Sequence, residues 1–127
     1  MEREGILIVD DNPVNMKLIR VLLAGEGYEV RTASDASEAL GVLSGFRPGL
    51  ILMDIQLPGI DGLELTRRLK AEPTTRDIPI VGLTAYAMKG DEERILAAGC
   101  DGYIPKPIDT RTLPHYIKRC LNKAAKV

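Results

Sequence analysis

Five side chains able to do chemistry stand just behind short apolar runs. Asp10 and Asp11 follow the run at 6–9, and Asp54 follows the run at 50–53. Thr84 follows the run at 78–83, and Lys106 follows 102–104 by way of Pro105. Continuous apolar runs of this length read as buried strands of a parallel sheet. In such a sheet the C-terminal strand ends share one rim, where open α/β folds place their ligands. A single Asp behind a strand is commonly a turn or helix cap. Three carboxylates, a hydroxyl and an ammonium on one rim are not expected from capping alone.

The charges indicate what the rim would bind. Two carboxylates about 5 Å apart repel by roughly 3 kcal/mol at an effective dielectric near 20. One lysine cannot relieve three acidic groups, whereas a divalent cation can. Oxygen ligands at a half-open site favour Mg²⁺, with Mn²⁺ also suited. The repeated oxygen ligands of a calcium loop are missing, and no GxxxxGK[ST] cradles a nucleotide. A hard cation beside a nucleophilic carboxylate is equipment for phosphoryl transfer. Asp54 is the candidate nucleophile, forming an aspartyl phosphate. Asp10 and Asp11 would hold the metal, Lys106 would neutralise phosphoryl oxygens, and Thr84 would donate a hydroxyl.

The elements that must position these groups follow from pattern. Asn12 and Pro13 suit an N-cap and first helical residue. Val14, Leu18 and Leu22, widened by Met16, Ile19 and Leu23, form the expected apolar stripe of that helix, which stops at Gly25 and Gly27. Residues 28–33 alternate as an edge strand would. Asp35 or Ser34 caps a second helix, predicted to bury Ala36, Ala39, Leu40 and Leu43. Pro48 and Gly49 turn the chain into the strand ending at Asp54, and Pro58 and Gly59 break it afterwards. Leu63, Leu65 and Leu69 belong to a third helix ending near Glu72 and Pro73. A fourth carries Asp91, Glu92 and Glu93 early and packs Ile95, Leu96 and Ala98 before Gly99. Proline around Lys106 makes the fifth strand an edge. The last helix is expected from Asp109, with Leu113, Ile117, Cys120 and Leu121 inside. Pro114 requires either a start nearer Thr112 or an irregular first turn. The result is five βα units, an α/β doubly wound parallel sheet with right-handed crossovers.

With 127 residues, the chain forms one domain and buries roughly two thirds of its unfolded surface. Apolar residues at 45% and charged residues at 28% are ordinary for a globular protein. A net charge of -1 gives no electrostatic case for nucleic acid or a membrane surface. No apolar run approaches the roughly 20 residues of a membrane span, and no signal peptide is legible, so a cytoplasmic location is expected. Cys100 and Cys120 read as packing thiols rather than a disulfide or metal pair, and His115 as a surface or packing residue.

The motifs VDDN at 9–12, LILMDIQLPGIDG at 50–62, LTA at 83–85 and YIPKPI at 103–108 together resemble the receiver domain of bacterial two-component response regulators. The resemblance covers essentially the whole chain, and with MKGDEERILAAGC at 88–100 it is nearest in wording to single-domain regulators of the DivK type. It implies the flavodoxin-like (βα)5 fold of the CheY-like superfamily with strand order 2-1-3-4-5, an order taken from the family and not from periodicity. It implies Asp54 as phosphoacceptor, with Asp11, Asp54 and the backbone carbonyl of Gln56 as direct Mg²⁺ ligands and Asp10 acting mostly through water. Lys106 would pair with the phosphoryl group, and the Lys106–Pro107 bond would be cis. Thr84 and Tyr103 would be the switch pair, the hydroxyl moving toward the phosphate while the ring turns inward.

The resemblance also implies partners. A sensor histidine kinase or histidine phosphotransferase would supply the phosphoryl group, and a protein target would read the surface of helix 4, strand 5 and helix 5. Ala87, Met88 and Ile95 are candidates for its apolar part, with Ile95 equally readable as core. Tyr86 flanks the path of attacking water and is expected to slow loss of the phosphate. The start at Met1 and the short tail after Leu121 favour a stand-alone receiver over residues 1–127 without an output domain. Two alternatives remain: a receiver excised from a hybrid histidine kinase or multidomain regulator, and a metal-dependent phosphatase. Against the latter, there is no second general acid or substrate-sized insertion; the chain reads as a phosphoacceptor switch, not an enzyme.

Overall fold

The computed structural model describes residues 4–57, 61–85 and 89–125, with side chains over 4–57, 61–85 and 92–122. Five parallel strands form one sheet in the order β2-β1-β3-β4-β5. They are β1 (Gly5–Val9), β2 (Glu29–Ala33), β3 (Leu50–Asp54), β4 (Ile80–Thr84) and β5 (Gly102–Pro105). The intervening helices are α1 (Pro13–Gly25), α2 (Ala36–Leu43), α3 (Gly62–Ala71), α4 (Lys89–Ala97) and α5 (Leu113–Ala125). β1, β3 and β4 are buried along their length, and the two alternating or proline-bearing strands lie at the edges, as expected.

Helices cover both faces. Ile19 and Leu23 of α1 and Leu113 and Ile117 of α5 pack with Ile6, Ile8, Leu50, Leu52, Leu83 and Ile104. Residues of α2, α3 and α4 pack on the other face with Leu7, Val9, Ile51 and Met53. Each fully buried Leu or Ile contributes roughly 1.5–3 kcal/mol relative to exposure, so these two clusters hold the layers together.

Local signals act largely as anticipated. Asn12 caps α1, its side chain accepting from Val14 and Asn15 N–H, with Pro13 at the start. Asp35 caps α2 by accepting from Glu38 N–H at 2.8 Å, while Ser34 hydrogen-bonds the Glu38 carboxylate. Gly99 ends α4 in the left-handed region at φ 111.

Several packing expectations are corrected. Val14 and Leu18 point to solvent, 74% and 48% exposed, because α1 turns its Ile19–Leu23 side to the sheet. Leu40 of α2 and Leu96 of α4 are likewise exposed. The last helix starts at Leu113, the start near Thr112 that Pro114 required, rather than at Asp109; Asp109 instead organises a turn by accepting from Arg111 N–H and, through its carbonyl, Leu113 N–H. Pro114 thereby falls in the first turn, where a missing N–H costs little. Ile95 is 1% exposed and belongs to the core, not to an output surface. Tyr86, Ala87 and Met88 lie outside the described residues.

Candidate functional site

Strand register brings the rim together. Val9 pairs with Met53, so Asp10 lies level with Asp54 although 44 positions separate them in sequence. Asp54 pairs with Leu83, and Thr84 pairs with Pro105, one residue before Lys106. Pleat alternation then sorts the groups by face. Asp10, Asp54 and Lys106 stand two residues past Ile8, Leu52 and Ile104, on the α1/α5 side. Thr84 stands two past Gly82, which pairs with Tyr103 and faces Ile55 and Ile95 on the other side.

The two buried carboxylates are held by the same local device. Asp10 Oδ1 accepts from Asn12 N–H at 2.9 Å, and Asp54 Oδ1 accepts from Gln56 N–H at 3.0 Å. In each case an amide two residues on fixes one carboxylate oxygen and leaves the other facing the rim. Lys106 Nζ approaches both remaining oxygens, 3.2 Å from Asp54 Oδ2 and 3.6 Å from Asp10 Oδ2. Its backbone is anchored by a 2.7 Å hydrogen bond from Lys106 N–H to the Thr84 carbonyl, and the Lys106–Pro107 bond is cis.

One ammonium does not satisfy this arrangement. Asp10 is fully buried, and among the described residues none donates a hydrogen bond to its Oδ2. Burial pushes the Asp54 carboxyl above its ordinary range; the Gln56 amide opposes this, the Asp10 charge adds to it, and Lys106 opposes it. Exposed Asp11 completes a group in which one carboxylate oxygen from each of Asp10, Asp11 and Asp54 lies within 4.8 Å of the others. An unsatisfied buried oxygen, all-oxygen donors and one solvent-facing side fit a hard divalent cation.

Of the remaining candidates, Thr84 is buried on the rim, and Gln56 is exposed on the loop after β3. Tyr103 is half-buried, its ring against the α2–α4 side of the core and its carbonyl 3.5 Å from the Tyr116 hydroxyl. A cleft of about 170 Å³ opens between the Asp54 loop and α4, lined by Gln56, Asp61, Thr84 and Arg94 among others. The amides of Asn12 and Gln56 escaped sequence reasoning; an Asp two residues before a polar residue behind a strand is the signal for them.

Residues 6–118 match the family described as response regulator receiver domain. The chain belongs to that family. The receiver is 48% identical over 121 residues to the polar-differentiation response regulator DivK of Brucella anthropi, covering 95% of this chain and 98% of the relative. A CheY-like response regulator receiver domain protein from Methanospirillum hungatei JF-1 superposes with a TM-score of 0.90 at 34% identity, with 98% of each chain covered. The receiver domain of a sensor histidine kinase from Pseudomonas aeruginosa PAO1 superposes with a TM-score of 0.86 at 37% identity, covering 95% of this receiver and 99% of that chain. That structure has a magnesium ion coordinated in its active-site cleft. The receiver is therefore a signalling domain of two-component systems, and its acidic cluster fits their phosphorylation and Mg²⁺ site. Among the described residues no helix is long and apolar enough to cross a membrane.

Proposed function

We propose that this receiver accepts one phosphoryl group on Asp54 from a phosphohistidine of a sensor histidine kinase or histidine phosphotransferase. An Asp54 oxygen forms the new O–P bond, the donor's N–P bond breaks, and the released imidazole nitrogen takes up a proton. The observation that carries this reading is the pair of buried carboxylates sharing Lys106, with one oxygen that no described residue hydrogen-bonds. Asp11, Asp54 and the Gln56 backbone carbonyl would hold Mg²⁺ directly, and Asp10 would act mostly through water. Bound there, the ion supplies charge neutralisation for the phosphoryl oxygens. Lys106 balances the remaining negative charge, and Thr84 donates its hydroxyl.

The added charge and acceptor oxygens draw Thr84 and its loop inward, and Tyr103 follows. This biases the surface of α4, β5 and α5, which a protein target reads. Val14, Leu18 and Val21 form an exposed apolar stripe on α1, the helix that begins at the rim beside Asp11. That stripe faces solvent on the helix that leads away from the acidic rim and suits an apolar helix presenting the donor histidine. The protein turns over no separate substrate and works in the cytoplasm.

We favour a stand-alone regulator over residues 1–127. The DivK relative is covered over 98% of its length, so it contains little beyond a receiver. The hybrid-kinase alternative draws on the likeness to the Pseudomonas kinase receiver. Incubation with acetyl phosphate and Mg²⁺ tests the function: one alkali-labile phosphate per chain, absent in Asp54→Asn, is expected. Continuous turnover of acetyl phosphate without a stable phosphoprotein would point to a phosphatase instead.

A further inference from the structure

The first residue of α3 lies against the backbone of the acceptor. A Cβ placed on Gly62 would come 2.0 Å from the Asp54 carbonyl oxygen, 2.8 Å from Ile55 Cα and 2.9 Å from the Asp54 carbonyl carbon. All three are main-chain atoms, so no side-chain rotation relieves the overlap. Gly62 is not in the positive-φ region, so its requirement is for space rather than for conformational freedom. Its N–H donates to the Ile55 carbonyl at 2.9 Å. Its own carbonyl accepts from the buried Thr66 hydroxyl at 2.7 Å, and Asp61 caps the helix by accepting from Glu64 N–H at 2.8 Å.

The helix start is thus seated on the same peptides that carry the Asp54–Gln56 hydrogen bond. Ile55 is tied on its other side too, its N–H donating to Leu83 carbonyl on β4. We propose that Gly62 is a positioning residue for the phosphoacceptor: the missing side chain lets α3 dock on the Asp54–Ile55 backbone and holds the Asp54 carboxylate level with Asp10 and Lys106. A methyl group at this position forces the end of β3 and the α3 start apart. The acceptor then leaves the place where its Oδ2 meets Lys106 at 3.2 Å. Misplacement of a reacting group by about 1 Å costs on the order of a hundredfold in rate. The inference rests on Asp54 being the acceptor and extends that reading to a residue touching neither metal nor phosphate.

The test compares wild type, Gly62→Ala and Gly5→Ala. Gly5 lies at the opposite end of the sheet, where an added Cβ meets the Phe46 side chain. Urea unfolding, Mg²⁺ affinity by calorimetry and the rate of phosphorylation by acetyl phosphate are measured for each. Gly62→Ala is expected to weaken Mg²⁺ binding and to slow phosphorylation of the folded protein roughly ten- to a hundredfold. Gly5→Ala is expected to lose stability while keeping both site properties. Wild-type Mg²⁺ affinity and rate in folded Gly62→Ala would overturn the proposal. If Gly62→Ala does not fold, Thr66→Val decides: loss of its hold on the Gly62 carbonyl should measurably slow phosphorylation of the folded protein, and a wild-type rate would sink the idea. Failure of wild type itself to take up phosphate would count against Asp54 as acceptor, while the Mg²⁺ comparison would still decide the role of Gly62.

Discussion

Lys106 Nζ lies 3.2 Å from Asp54 Oδ2, a buried ion pair whose lysine must also serve Asp10 Oδ2 at 3.6 Å. Lys106→Met removes the cation from two facing carboxylates while keeping the length of the stem. At neutral pH without magnesium, stability should fall by about 2 kcal/mol, less than the usual cost of breaking a buried pair because one side remains open to solvent. Saturating Mg²⁺ should recover much of that loss. Urea unfolding with EDTA and with Mg²⁺ measures both, and acetyl phosphate should modify the variant at least tenfold more slowly.

Asp54→Asn should stabilise the metal-free protein. Burial raises the Asp54 carboxyl, so the folded state holds its proton more tightly than the unfolded state. The stability this group contributes is present below the ordinary carboxylate range and is lost as pH rises through the folded value. The variant should therefore melt above wild type at pH 7, each 1 kcal/mol of relief raising Tm by about 4 °C at this chain length. The difference should vanish in acid, where both side chains are neutral. A pH series of melting curves in EDTA reads it, and a difference that grows toward acid would contradict the burial argument.

Magnesium should stabilise the wild type by mass action. At a hundred times the dissociation constant the gain is about 2.7 kcal/mol. Asp11→Ala removes an exposed carboxylate from the cluster, so its own stability should change little while most of the Mg²⁺-dependent rise in Tm disappears. Differential scanning calorimetry against Mg²⁺ at fixed ionic strength separates ion binding from screening.

Val14→Asp and Leu18→Ser test the exposed stripe on α1. Both positions are solvent-facing, so stability should stay within about 0.5 kcal/mol of wild type. Phosphorylation by acetyl phosphate should be unchanged, since a small donor needs no helix to dock against. Transfer from a phosphohistidine protein should fall roughly tenfold, the cost of about 1.4 kcal/mol of lost contact. Equal loss with both donors would show that the substitutions disturb the acceptor rather than docking.

Strand identity, the caps of the first two helices and the five chemical groups were legible because each depends on neighbours in sequence. An apolar run ending in a polar residue at 10, 54 or 84 already defines a buried strand and its exit. Asn12 before Pro13 defines a helix start by the same local logic. What a helix turns toward the sheet is different, because period alone cannot choose between two adjacent apolar stripes. Tertiary packing put Ile19 and Leu23 inside and left Val14, Leu18, Leu40 and Leu96 outside, and it drew Ile95 into the core. Register was likewise a matter of distant contacts: only pairing of β1 with β3 brings Asp10 to Asp54. The close approach of Gly62 to the Asp54 carbonyl has no local signature at all, since the space a side chain would need is taken by the backbone at the end of β3.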